Sequence, residues 1–310
     1  MSEHMRTLLL AAALLVAIGI NFLASGYYLS IVLCSLLLGL FASAADLSIG
    51  RAGVLSLGSA LYFGIGSYSL AWAQRFGAGF GLGLALGTTV AAALALAIGF
   101  LGLTSRRTTV QFALFTLVAS LTCEQLIVNS DVLGRSNGLP DIQLPTLGGQ
   151  RLTVSTYYAI CTPLIFAAVA ALRAVSQSRW GRLLVLIRDE PEKAESLGYS
   201  VKRTKILVTV VSAAVSAACG VAYVPAIGIA YPDLFSIVPN MLLLVWIALG
   251  GPGTVLGPFI ATTLIKLMEF WLGSTYTNTY VLIIGVIFVL VVRYRPGGLS
   301  TLVSQQLTAK

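Results

Sequence analysis

The chain has 310 residues, 57% of them hydrophobic and 10% charged, with a formal net charge of +8. A soluble domain carries about 25% charged residues and needs polar groups over its surface, so this composition excludes a soluble globule and points to lipid as the solvent. The bases lie in short segments between apolar runs, which the positive-inside rule explains and which argues against nucleic acid as a partner.

A membrane helix needs about 20 apolar residues. Candidate spans run near 7–24, 29–45, 57–74, 80–103, 108–128, 157–174, 206–230, 237–250, 257–272 and 280–292. Arg6 followed by the first apolar run resembles a signal peptide, with small residues at Ala24-Ser25-Gly26. Further apolar segments follow at once, so an uncleaved first membrane helix is expected. Several runs are short, which predicts broken or tilted helices. The expected fold class is all-α integral membrane, with about ten transmembrane helices in a single domain over 1–310.

Orientation follows from Lys and Arg. Arg173, Arg179, Arg182, Arg188, Lys193, Lys202, Arg203 and Lys205 assign the segment of about 175–205 to the cytoplasm. Arg106 and Arg107 go to the same side, as do Arg293 and Arg295, and the even span counts between them agree. Both ends are then cytoplasmic, with Arg75 a mild exception outside. The longest external segment, about 129–156, holds Asp131, Arg135, Asn137, Asp141 and Arg151 with Pro140 and Pro145, and reads as a surface loop.

Three sets of residues interrupt the apolar spans. Gly50, Gly53, Ser56 and Gly58 open a run of small residues that continues to Gly64, Gly66 and Ser67. Such residues permit close helix packing, and they also permit non-helical backbone where it lines a cavity. Gly250, Gly253 and Gly257 repeat the pattern in outline. In the basic segment, Asp189 to Gly198 reads as a short helix with Asp189 as cap, Glu192 three residues on, Pro191 in the first turn and Gly198 as the stop. Ala194 and Leu197 are expected on one face of it. It suits either a solvated loop helix or a segment that docks in a groove on a cytoplasmic partner. The third set is polar: Asp46, Glu124 and Gln125 with Asn129 beyond, and Lys266 with Glu269, whose spacing predicts an ion pair.

Cys34, Cys123, Cys161 and Cys219 are far apart in apolar runs and read as packing residues, with no metal spacing. The chain has no Walker A loop and no HExxH, and its sole histidine is His4. A membrane hydrolase has little support, no metal or cofactor is expected, and no catalytic residues are assigned.

Gly50 to Tyr68 resembles the signature of branched-chain amino-acid (LIV-type) ABC transporter permeases. So do Ser178 to Val201 with Lys205, Ser212 and Ala213, and the blocks Asn137 to Pro140, Gly250 to Pro258 and Arg295 to Leu299. Ser59 stands where many members have histidine, and Arg51 where an aromatic is common. The resemblance implies a permease in a bacterial or archaeal cytoplasmic (inner) membrane. It would pair with a second permease subunit, two cytoplasmic ABC ATPases and an extracytoplasmic substrate-binding protein. It assigns ATPase coupling to Asp189, Glu192, Ala194, Glu195, Leu197 and Gly198. Pathway candidates are Gly50, Gly53, Ser56, Gly58, Glu124 and Gln125. Permeases for urea and short amides share these blocks, so that substrate class stays open, as does a stand-alone secondary transporter.

Overall fold

The structure, a computed structural model, describes residues 25–103, 109–147 and 150–275 and the isolated positions Leu14, Gly19, Gly285 and Arg293. The helices in chain order are α1 (Gly26–Asp46), α2 (Ser59–Arg75), α3 (Phe80–Gly102), α4 (Thr109–Val128), α5 (Val154–Gln177), α6 (Arg179–Asp189), α7 (Pro191–Ser196), α8 (Val201–Ile227), α9 (Ile237–Gly250) and α10 (Leu256–Thr275). Every expected span that falls on described residues coincides with one of them. The first and tenth, near 7–24 and 280–292, lie outside the described residues apart from the isolated positions. Among the described residues, five helices are long and apolar enough to cross a membrane: α1 extended to Arg51, and α3, α4, α5 and α8.

Two helices form the centre because they are apolar on every side. In α1 each residue from Gly39 to Asp46 is buried. α8 packs on α1, α2 and α3. The α2–α8 contact is backbone against backbone: a Cβ at Gly66 would collide with the Ala217 carbonyl, and one at Gly220 with the Phe63 carbonyl. In lipid, where no hydrophobic force drives helices together, such close approach supplies the packing energy.

The same logic shapes α3. Gly83, Gly87, Ala91, Ala95 and Gly99 recur every fourth residue and are buried, while Leu82, Leu86, Val90 and Phe100 on the other side are exposed. A helix with small residues inward and large apolar ones outward is built to face lipid or another membrane subunit.

The segment 129–156 holds more structure than a surface loop. Two 3-10 turns, Asp131–Leu133 and Arg135–Asn137, precede a small antiparallel hairpin, β1 (Thr146–Leu147) with β2 (Gln150–Arg151). Between them Leu139 forms a β-bridge with Ala230, and the Ile142 amide donates to the Gly228 carbonyl at 3.1 Å. Leu139 and Ile142 are buried. The apolar residues inside the polar stretch thus anchor it to the chain that follows α8. The expected ion pair forms, with Lys266 Nζ 2.7 Å from Glu269 Oε2 and the ammonium over the Trp246 ring. None of the four cysteines is in a disulfide; Cys161 and Cys219 are buried.

Candidate functional site

The Gly50–Gly58 segment is a break between helices. α1 runs on through a π-helical turn, Leu47–Arg51, after which the chain is non-helical until Ser59. Its backbone groups need partners, since no water reaches them in lipid. Val54 N–H donates to the Ser48 carbonyl at 2.9 Å. Leu57 N–H donates to the Thr116 hydroxyl at 3.1 Å, and Ala60 N–H to Asn240 Oδ1 at 2.9 Å. Ser56 is buried and accepts from Gly58 N–H at 3.4 Å. Gly58 lies so close to the Thr116 carbonyl that a Cβ would collide with it.

A second break lies beside the first. α9 has 14 residues, about 21 Å at 1.5 Å per residue, against a hydrocarbon core of about 30 Å. It is therefore too short to span that core by itself. The chain before it, including the 3-10 turn Pro232–Phe235, packs on α2 and α4. Its backbone is met by side chains: Ser120 donates to the Phe235 carbonyl at 2.7 Å. The Asn240 amide donates to the Ser236 carbonyl at 2.9 Å and to the Ser120 hydroxyl at 3.3 Å. Asn240 is thus a bracket between the breaks.

Thr116, Ser120 and Glu124 succeed one another at four-residue spacing, on one face of α4. The first two brace the breaks. Glu124, one turn on, is partly exposed and lies within electrostatic reach of Asp233. Gln125 is exposed. The pathway candidates therefore separate: Gly50, Gly53, Ser56 and Gly58 share the first break, while Glu124 and Gln125 lie further along α4.

The two glycine sets of the internal echo meet in space. Asp46, fully buried, accepts from Gly253 N–H at 2.7 Å and from Val255 N–H at 3.1 Å. A Cβ on Gly50 would collide with Asp46 Oδ1 and the Gly253 nitrogen. Gly53 and Gly253 both have positive φ, +67° and +81°, where glycine has no steric cost. Arg51 Nε donates to the Gly253 carbonyl at 2.9 Å and its Nη1 to the Ser176 carbonyl.

The basic segment contributes α6 and α7 at this same end. Ser178 caps α6 by accepting from Gly181 N–H at 3.3 Å. The expected cap is corrected: Asp189 is the last residue of α6, and Glu190 is the N-cap of α7. Arg188 draws the Asp189 carboxylate back along α6, with Nε to Oδ1 at 2.8 Å, and this hydrogen bond holds the carboxyl below the ordinary aspartate range. The box with Glu192 therefore does not form. Pro191 opens α7 and Gly198, at φ +86°, follows its end as expected. Ala194 and Leu197 do not share a face: Ala194 is fully buried, whereas Leu197 is 62% exposed, because the helix ends before Leu197 and leaves it at the C-cap. Glu192, Glu195 and Gly198 are exposed.

Arg188 reaches further than its neighbour. Its Nη1 donates to the Gly50 carbonyl at 2.6 Å, and its stem covers Gly53, where a Cβ would lie 2.6 Å from Cγ. Sequence reading missed Thr116, Ser120, Arg188 and Asn240. Asn240 alone had a signal: it is the one Asn, Gln, Ser or Thr in Ile237–Gly250.

A polytopic helical bundle with polar-braced breaks inside its thickness is the architecture of a multi-pass membrane permease. The chain belongs to the family described as branched-chain amino acid transport system / permease component, whose model matches residues 27–292. It is 25% identical to the high-affinity branched-chain amino acid transport system permease protein LivM of Salmonella typhimurium, over 98% of this chain and 77% of that protein. It is 26% identical to the protein of the same description from Escherichia coli K12, with the same coverage. No solved structure matches the chain.

Proposed function

We propose that this chain is the membrane-spanning permease subunit of an ATP-driven importer for branched-chain or other hydrophobic amino acids, in a bacterial or archaeal cytoplasmic membrane. The observation that carries the reading is the attachment of α6–α7 to the first glycine break. An exposed helical pair that bears Glu192, Glu195 and Leu197 is tied through Arg188 to Gly50. Such a pair suits a partner's groove, and a break within the bundle suits a gate. Asp189, Glu192, Ala194, Glu195, Leu197 and Gly198 form the coupling segment, with α6–α7 in the cytoplasm and the hairpin end outside. A pair of cytoplasmic ABC ATPases drives alternating access. A second permease subunit completes the pathway, against the apolar faces left uncovered on this one. An extracytoplasmic binding protein delivers substrate.

The reading is tested by co-expressing the chain with branched-chain-type ABC ATPases, a second permease and a binding protein from the same genome, and by measuring uptake into proteoliposomes. Co-purification of the ATPases and ATP-dependent leucine uptake that excess urea does not compete with are expected. Uptake by the purified chain alone, driven by an ion gradient, would instead establish a secondary transporter.

A further inference from the structure

The cluster at the α6 end contains more than coupling requires if α7 alone is the contact. Two carboxylates and two guanidiniums meet there: Asp46, Asp189, Arg51 and Arg188. Asp46 feels the charge of both arginines. Each arginine grips backbone of a different element. Arg51 holds the α9–α10 loop at Gly253 and the end of α5 at Ser176. Arg188 holds Gly50. Asp46 holds the same loop from the other side.

The loop is held under strain. Val255 has φ +58°, a region that a β-branched side chain avoids. Such a conformation persists only where its surroundings over-determine it. Here Asp46 accepts from the Val255 amide at 3.1 Å and Ser43 donates to its carbonyl at 2.9 Å. A loop pinned by removable polar bonds in a disfavoured conformation has a second, relaxed arrangement available once they release.

We propose that Arg188 is a positioning residue that latches the first break and the 251–255 loop to α6. With its bond to Gly50 made, Gly50 stays against Asp46, and Asp46 keeps the 251–255 loop in its strained form. When α6 moves, Gly50 is pulled off Asp46 and the loop relaxes, so that the first break and the 251–255 loop change together. This rests on the importer reading above, and it assigns the transmission to Arg188, Asp46 and Arg51, inside the bundle from the α7 surface.

The test uses the full complex in proteoliposomes and reads amino acid transported per ATP hydrolysed. Arg188→Gln removes the charge and the reach to Gly50, and leaves the α7 surface intact. ATPase association and hydrolysis are expected to persist while transport per ATP falls about tenfold, the factor that one lost charge-assisted hydrogen bond carries. Arg188→Lys should recover part of the ratio, since an ammonium reaches Gly50 but not Asp189 as well. Arg179→Gln, an equal charge change at the exposed start of α6, should leave the ratio unchanged. Asp46→Asn releases the loop without touching α6 and should lower the ratio similarly, which keeps the idea open to refutation if Arg188→Gln does not assemble. An unchanged ratio in either assembled variant would overturn the latch while leaving the importer reading standing. ATPases that fail to associate with the wild-type chain would overturn both.

Discussion

Removing the Asn240 side chain strikes both breaks at once. Asn240→Ala takes the acceptor from Ala60 N–H and the donors from the Ser236 carbonyl and the Ser120 hydroxyl. Asn240 is 1% exposed, so water does not replace it without cost. An orphaned buried amide costs about 1–3 kcal/mol, and the small cavity adds about 1 kcal/mol. The sum, about 2–4 kcal/mol, lowers the melting temperature by about 4–8 °C at roughly 2 °C per kcal/mol for a large domain. Thermal unfolding of the purified protein in detergent, followed by tryptophan fluorescence, measures this directly. Ser120→Ala removes a partner of the same bracket, so the two changes should be non-additive by about 0.5 kcal/mol or more. A melting temperature within about 1 °C of wild type for Asn240→Ala, or strict additivity with Ser120→Ala, would refute the idea that one amide braces both breaks.

Other outcomes follow from the same geometry. Gly66→Ala and Gly220→Ala each force α2 from α8 where no flexible side chain yields; each should cost about 3 kcal/mol or more, seen as lost monodisperse yield on size exclusion. Leu197→Asp, at a position 62% exposed, should leave insertion and melting temperature unchanged but weaken ATPase co-purification about tenfold, the scale of one lost apolar anchor. Glu124→Gln removes one of two acidic groups that feel each other; uptake assays should show a raised KM for amino acids with the ammonium group, and no change in folded yield.

The helices were legible because each span is an apolar run bounded by Gly, Pro or charge. Their ends were less so: α5 starts at Val154, ahead of the expected span, because Thr153 caps it by accepting from Thr156 N–H, and it extends to Gln177, while α8 starts at Val201. The α6–α7 boundary was misread because Asp189 had two local partners available. The spacing to Glu192 suggested a cap, and the adjacent Arg188 won, as its guanidinium engages both carboxylate oxygens, at 2.8 and 3.3 Å. The glycine echo was visible, yet its meaning was not. Gly50 and Gly253 touch across more than 200 residues of chain, and spacing carries no record of that contact. The same holds for Thr116, Ser120 and Asn240, whose partners are remote in sequence. Single polar residues in apolar helices look alike on paper, and only the fold tells which of them face a broken backbone.

The backbone contact at Gly66 and Gly220, where α2 meets α8, and the four-residue stripe of α3 beside them, have a mechanical consequence. Surfaces in backbone contact have few rotamers to exchange, so they slide mainly by separating, and here Ser67 Oγ on the Gly220 carbonyl at 3.3 Å and Ser69 Oγ on the Gly83 carbonyl at 3.0 Å fasten them further. Helices α2, α3 and α8 should therefore travel as one stiff block. Elsewhere, at Asp46, Thr116, Ser120 and Asn240, elements are fastened by hydrogen bonds that can be remade one at a time. The protein is thus divided into a chassis of glycine and alanine and a set of polar catches. Slow amide exchange across Gly66 and Gly220, against fast exchange at Leu57 and Val255, would draw that boundary on the molecule.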